Sequence, residues 1–226
     1  MENADEKAVL IVVAGGSGKR FGGDKLMVNV CGKPVFVHTL ERLSSAAKRL
    51  VLVVPAGREK EFEGAVGKFL PKLSLKIVSG GANRTASVGK GVAAAELRPG
   101  EVSAVHDAAR PLATPELLQK LCRKAREVGG AVPGFPQADA QKRTDENGLI
   151  LDDLPRKNVW NVGTPQVFQA ELLLRAYASP EVADCLDDAE VVRRIGGQVA
   201  VVPSSEPNTK LTTPADLEKI EKQLSR

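Results

Sequence analysis

Residues 8–26, AVLIVVAGGSGKRFGGDKL, constrain the fold more than any other stretch of the chain. Val9 to Val13 is an unbroken apolar, β-branched run, the pattern of a strand buried on both faces of a parallel sheet. The strand opens into a loop holding Gly15, Gly16, Gly18, Gly22 and Gly23, with Lys19, Arg20 and Lys25 among them. Glycine lets the backbone approach an anion closely and take positive φ, and successive amides form an anion cradle. The cations neutralise charge that amides alone cannot, so the stretch predicts a phosphate-binding loop. It is not a P-loop, because Val13 stands where that motif needs its first glycine and Arg20 follows Lys19. A dinucleotide fingerprint begun at Gly16 fails too: its third glycine falls on Phe21, and no acidic residue ends the second strand.

The rest of the chain extends this α/β start. Leu50 to Val54 and Leu75 to Val78 read as further strands, the second ending in Ser79-Gly80-Gly81. Val102 to Val105 reads as a fourth, running into His106-Asp107-Ala108-Ala109-Arg110-Pro111. Helices are expected from Val35 to Leu43, from Glu59 to Phe69, from a cap at Asn83 to about Leu97, and from Thr114-Pro115. His38 falls within the first of them and reads as a packed structural histidine. The pattern predicts a single domain over residues 1–226, a Rossmann-like, mostly parallel sheet flanked by helices. Segment 133–160 departs from the alternation: two prolines interrupt it, and Asn147-Gly148 marks a hairpin turn between Asp139–Asp145 and Leu149–Asp152. It reads as a protruding β-arm or a plain surface insertion. Beyond it, a helix from Gln169 to Ala178, a helix capped by Asp187-Asp188, a strand from Gln198 to Val202 and a helix opened by Pro214 complete the chain.

Composition limits the function. The chain has 226 residues, of which 42% are hydrophobic, enough for a substantial core. Aromatics make up 4% and the net charge of +4 is spread along the chain, which fits a small anionic substrate better than nucleic acid. Cys31, Cys122 and Cys185 form no C-x-x-C pair, which argues against a zinc site or a disulfide framework. No apolar run approaches the ~20 residues of a membrane span, and MENADEK is unlike a signal peptide. A soluble cytoplasmic protein without nucleic-acid or membrane partners is expected.

Ligands of open α/β sheets sit beyond the carboxyl ends of the strands. The glycine loop, Gly80-Gly81 and Asp107 all fall there, so they converge on one edge. A carboxylate at Asp107 can hold Mg²⁺, whose remaining shell is water and substrate phosphate, or it can cap nearby amides. Arg20, Lys25 and Lys210 are cations in glycine- or turn-rich loops. Transfer at phosphorus needs mainly positioning and charge neutralisation. The residues thus suggest a Mg²⁺-dependent transferase acting on a nucleoside triphosphate, with base and acceptor left open.

The chain resembles the 2-C-methyl-D-erythritol 4-phosphate cytidylyltransferases along nearly its whole length. The resemblance rests on AGGSGKRF (14–21), GKPVFVHTL (32–40), GGANRTASV (80–88), VHDAARP (105–111), DAQKR (139–143), TPQVF (164–168), LDDAEVV (186–192) and NTKLTTPADL (208–217). It implies attack of the acceptor's phosphate on the α-phosphorus of CTP, with Arg20 and Lys25 stabilising the transition state and Asp107 binding Mg²⁺. It further implies that Ala14, Gly15, Gly16, Gly81 and Ser87, beside the Gly18 turn, hold the nucleotide. Arg110, Arg156 and Thr164 would contact the methylerythritol phosphate, and Arg156 and Lys210 would place its phosphate. The resemblance also implies a homodimer whose 133–160 arms cross to the partner. Two departures stand out: the loop is shortened to GGDKL, and Asp139-Ala140 replaces the family's Asp-Thr. The alternatives are a cytidylyltransferase for another polyol phosphate, such as ribitol 5-phosphate, and a non-catalytic nucleotide-binding module.

Overall fold

A computed structural model of the chain describes residues 7–15, 21–155, 157–182, 185–204 and 208–225. The chain runs β1 (Ala8–Val13), a small hairpin of β2 (Asn29–Val30) and β3 (Lys33–Pro34), α1 (Val35–Leu43), β4 (Ala47–Val54), α2 (Glu59–Phe69), β5 (Lys76–Ser79) and α3 (Arg84–Ala94). It continues through β6 (Val102–Asp107), α4 (Pro115–Val128) and β7 (Gly130–Pro136). A second hairpin, β8 (Gln141–Thr144) and β9 (Ile150–Leu154), then leaves the body. The return passes through β10 (Trp160–Val162), β11 (Gln166–Gln169), α5 (Ala170–Ala178), α6 (Asp188–Arg194), β12 (Val199–Pro203) and α7 (Pro214–Leu224).

Strands β5, β4, β1 and β6 lie side by side and parallel, as their continuous apolar runs require. β1 is central and buried at every residue. Its side chains alternate between two cores. Leu10 and Val12 face a core with Phe36 and Leu40 of α1, Phe62 of α2, and Leu118 and Leu121 of α4. Val9, Ile11 and Val13 face the other, with Val88 and Val92 of α3, Leu173 of α5 and Val191 of α6. The result is helices on both sides of one sheet.

The sheet is not wholly parallel. β11 lies antiparallel between β6 and β7, and β12 runs parallel on the far side of β7. β10 and β11 both run antiparallel to β7. Val162 faces Gly134 while Val167 faces Ala131, so five steps on one strand oppose three on the other. The two extra residues lie in the Gly163–Pro165 turn, a bulge that redirects the chain toward the end of β6.

Local chemistry sets the helix starts. Asn83 caps α3 by accepting the Ala86 N–H (2.8 Å), Thr114 caps α4 ahead of Pro115, and Asp187 caps α6 by accepting the Glu190 N–H (2.9 Å). α3 ends at Ala94, short of the expected Leu97. His38 is buried and bonds to the Val30 carbonyl (2.7 Å), a structural role. The loop of the outer hairpin spans residues 145–149, longer than Asn147-Gly148 alone, because the Asp145 carboxylate accepts the N–H groups of Asn147 and Leu149. Residues 133–136 belong to β7 of the main sheet.

Candidate active site

The parallel strands deliver four loops to one edge. Each loop is tied to its neighbour: Ala14 N–H donates to Val53 O, Gly80 N–H to Val54 O, and Ala108 N–H to Val13 O. Between them lies a cavity of about 750 Å³ whose lining includes Gly15, Lys25, Gly81, Ser87, Asp107 and Lys210. Ala14 is buried just behind it. Ser87 builds one wall: its hydroxyl accepts the Gly81 N–H (3.0 Å) and donates to Asn83 O (2.8 Å). Gly81 has no room for a side chain, since a Cβ would lie 2.5 Å from that of Ala86. Lys25 is anchored across the cavity by donating to the Leu211 carbonyl (3.1 Å).

Asp107 is the carboxylate of this cavity. Lys210 Nζ reaches its Oδ2 at 2.8 Å, Arg110 Nε the same oxygen at 3.4 Å, and Arg84 Nε its Oδ1 at 3.4 Å. Burial alone would raise its pKa, but the charges on Lys210, Arg84 and Arg110 hold it well below the usual carboxylate range. It is therefore ionised at neutral pH. Even with the Asp188 carboxylate that also holds Arg84, the cations outnumber the carboxylates three to two, which leaves the edge attractive to an anion.

A second cavity, about 490 Å³, opens on the other side of Lys210 and is lined by Arg110, Gly134, Asn161, Gly163, Asn208 and Lys210, among others. Lys210 lines both cavities. Arg110 is fixed there by donating to Asn208 O (2.8 Å). Thr164, carried by the bulge between β10 and β11, is buried behind this wall. Its hydroxyl oxygen accepts the Asp107 N–H (3.0 Å) and lies 3.0 Å from His106 Nδ1. The other ring nitrogen, Nε2, lies 3.1 Å from the Arg110 carbonyl, which can only accept, so Nε2 carries a proton. Burial pushes the His106 pKa down to about 4, leaving the ring neutral. Nδ1 is then an acceptor and the Thr164 hydroxyl donates to it. A one-way chain, Asp107 N–H to Thr164 to His106, and His106 to Arg110 O, locks the turn between the two cavities.

The structure thus gathers Gly15, Lys25, Gly81, Ser87, Asp107, Arg110 and Lys210 at one edge, with Ala14 and Thr164 directly behind. Gly16, Gly18, Arg20 and Arg156 lie outside the described residues. Sequence reasoning passed over Arg84. Its position immediately after the capping Asn83, at the same edge as Gly80-Gly81, was the available signal. It also gave the start of α6 to Asp187 and Asp188 as a pair. Asp187 is the cap, and Asp188 is fully buried against Arg84 (2.8 Å) and the Tyr177 hydroxyl (2.5 Å).

Among the described residues no group of three or more His, Cys, Asp or Glu side chains could hold a metal. Asp107 nevertheless offers Mg²⁺ a single ionised oxygen donor on the cavity wall, and that ion keeps waters and substrate phosphates for its other positions. Among the described residues no helix is long and apolar enough to cross a membrane.

Comparison with known proteins gives the family. Residues 8–226 match the family described as 2-C-methyl-D-erythritol 4-phosphate cytidylyltransferase. The chain is similar to two proteins of that description. With the one from Bacillus velezensis it shares 37% identity over 216 residues, covering 92% of each chain. With the one from Symbiobacterium thermophilum it shares 38% over 212 residues, covering 92% of this chain and 88% of the relative. The crystal structure of the Thermus thermophilus protein of the same description superposes with a TM-score of 0.79 at 28% identity, over 97% of this chain and all of that one (100%).

Proposed function

This chain belongs to the 2-C-methyl-D-erythritol 4-phosphate cytidylyltransferase family, and from that premise we propose that it transfers CMP from CTP to 2-C-methyl-D-erythritol 4-phosphate. The products are 4-diphosphocytidyl-2-C-methyl-D-erythritol and pyrophosphate, a step of isoprenoid precursor synthesis by the non-mevalonate route. The observation that carries this reading is Lys210, seated on Asp107 and lining both cavities. A phosphate oxygen of the acceptor must meet the α-phosphorus of the nucleotide, and the shared wall is where two such ligands touch.

The larger cavity takes CTP. Gly15 and Gly81, with Ala14 and Ser87 behind them and Gly16 and Gly18 along the loop, hold the nucleotide, largely through backbone groups. Arg20 and Lys25 neutralise the triphosphate as the bond from α-phosphorus to the bridging oxygen breaks and pyrophosphate leaves. The smaller cavity takes the acceptor, with Arg110 and Lys210 on its phosphate side and Arg156 completing it. Thr164 has committed its proton to His106 and is buried, so it serves the acceptor by holding the Asp107–Arg110 turn in place. Asp107 would hold Mg²⁺, which supplies further charge neutralisation on the phosphates when bound.

The protein works as a homodimer in a reducing, cytoplasmic setting, with none of its three cysteines in a disulfide. The β8–β9 arm supports the dimer: Leu149 (67%), Ile150 (63%) and Leu151 (64%) lie exposed on it, and an apolar surface of that kind is ordinarily covered. Pyrophosphate release across CTP, GTP, UTP and ATP, with methylerythritol phosphate or ribitol 5-phosphate as acceptor, tests the reading. Turnover with CTP and methylerythritol phosphate is expected. Turnover with ribitol phosphate alone would replace the acceptor, and CTP binding without product would make the chain a binding module.

A further inference from the structure

Asp188 poses a problem that the cytidylyltransferase reaction does not answer. Its side chain is fully buried in the first turn of α6, a costly place for a carboxylate. Helix capping does not explain it, because Asp187 already accepts the Glu190 N–H. Both of its oxygens are engaged: Oδ1 accepts from the Tyr177 hydroxyl at 2.5 Å and Oδ2 from Arg84 Nη2 at 2.8 Å. Arg84 lines the larger cavity, and its Nε faces Asp107 Oδ1 at 3.4 Å. One guanidinium therefore spans a buried carboxylate on the inside and the cavity carboxylate on the outside. The other two cations, Lys210 and Arg110, sit on the opposite oxygen of Asp107.

We propose that Arg84 is a positioning residue for Asp107, anchored from the interior by Asp188 and Tyr177. Asp188 holds the guanidinium plane with a charge-assisted hydrogen bond, and Tyr177 holds Asp188. One oxygen of Asp107 is thereby fixed in direction while its other oxygen stays available for exchange between Lys210 and incoming ligands. Arginine is needed because a lysine's single charged head cannot reach both carboxylates. Neither Asp188 nor Tyr177 lines the cavity, so both act on the reaction only through Arg84.

The inference rests on the assigned reaction, and its test separates the two. In ¹⁵N spectra of the arginine side chains, the wild type should show distinct Arg84 Nη resonances, the mark of hindered rotation, and Asp188→Asn should average them. Averaged resonances in the wild type would overturn the anchoring whether or not the chain turns over its acceptor. In steady-state assays a displacement of this kind lowers kcat by about 10- to 100-fold in Arg84→Ala and Asp188→Asn, with a smaller change in KM for CTP. Arg84→Lys should recover little. The double variant should be no slower than Arg84→Ala, because Asp188 has nothing left to position. Multiplied losses in the double variant, or losses that track the folded fraction by circular dichroism, would assign Asp188 to the fold alone. Should Asp188→Asn not fold, Tyr177→Phe, which removes only a hydroxyl, carries the same spectra and the same cycle with Arg84→Ala.

Discussion

Lys210 Nζ lies 2.8 Å from Asp107 Oδ2, although 103 residues separate the two in the chain. The pair joins the end of β6 to the loop before α7 and forms the partition between the two cavities. Removing Lys210 should lower kcat about 10²–10³-fold, the range seen when one preorganised charge donor is lost from a reacting centre. Its head is partly solvated, so Lys210→Ala should melt within a few degrees of the wild type. Steady-state kinetics and a thermal melt on one preparation check both statements, and near-normal turnover would remove Lys210 from the site.

Thr164→Val keeps the shape of the side chain but deletes the hydroxyl between Asp107 N–H and His106 Nδ1. Two buried polar groups are then unpaired, at a cost of about 1–3 kcal/mol each in the usual range. Chemical denaturation should show a loss of that order. The KM for the acceptor should rise as the Asp107–Arg110 turn loosens. A variant as stable as the wild type would show that the hydrogen-bond chain does not hold the turn.

Glu101 gives stability a pH dependence in the acid range. It is buried and clamped by Arg49 (2.7 Å), Lys48 (2.9 Å) and the Arg98 N–H (3.0 Å). The Arg49 hydrogen bond leads in lowering its pKa to about 2, from an ordinary 4.5. The folded state therefore favours the charged form. Its contribution is complete above pH 4.5 and is lost as pH falls toward 2. Glu101→Gln should destabilise by about 1 kcal/mol at pH 7, a figure reduced by solvent screening of the partners. The gap between variant and wild type should close as the pH falls through that window. A gap that does not change with pH would assign the loss to packing.

Leu151→Asp on the arm should shift sedimentation from dimer toward monomer without unfolding the body, because the β8–β9 hairpin pairs only with itself among the described strands. Turnover should fall with dissociation if Arg156 serves the partner's site. An unchanged sedimentation coefficient would place the dimer contact elsewhere.

Much of this fold could be read from local chemistry. The buried runs at Val9–Val13 and Leu50–Val54 gave the parallel strands, and Asn83, Thr114 and Asp187 marked helix starts that the structure confirms with side-chain caps or cap bonds. β10 and β11 were missed because each is short and they run directly into the helix expected from Gln169. Their pairing depends on β7, a partner distant in sequence and invisible to periodicity. Likewise Asp107 stood out at a strand end and Arg84 had a signal beside Asn83, whereas the Arg84–Asp188 pair acquires meaning only once α3 and α6 pack on the same face of the sheet.

The partition between the cavities has a pharmacological consequence. On the proposed assignment of the two cavities, a molecule that joins a cytidine phosphate to a polyol phosphate would pass the Lys210 head, which lines both. Tethering two fragments whose sites adjoin so closely raises apparent affinity by about 10²–10⁴-fold over either alone when the linker matches the gap. The linker of such a molecule would run beside Lys210, and an anionic group placed at its midpoint would take over the partner that Asp107 gives up.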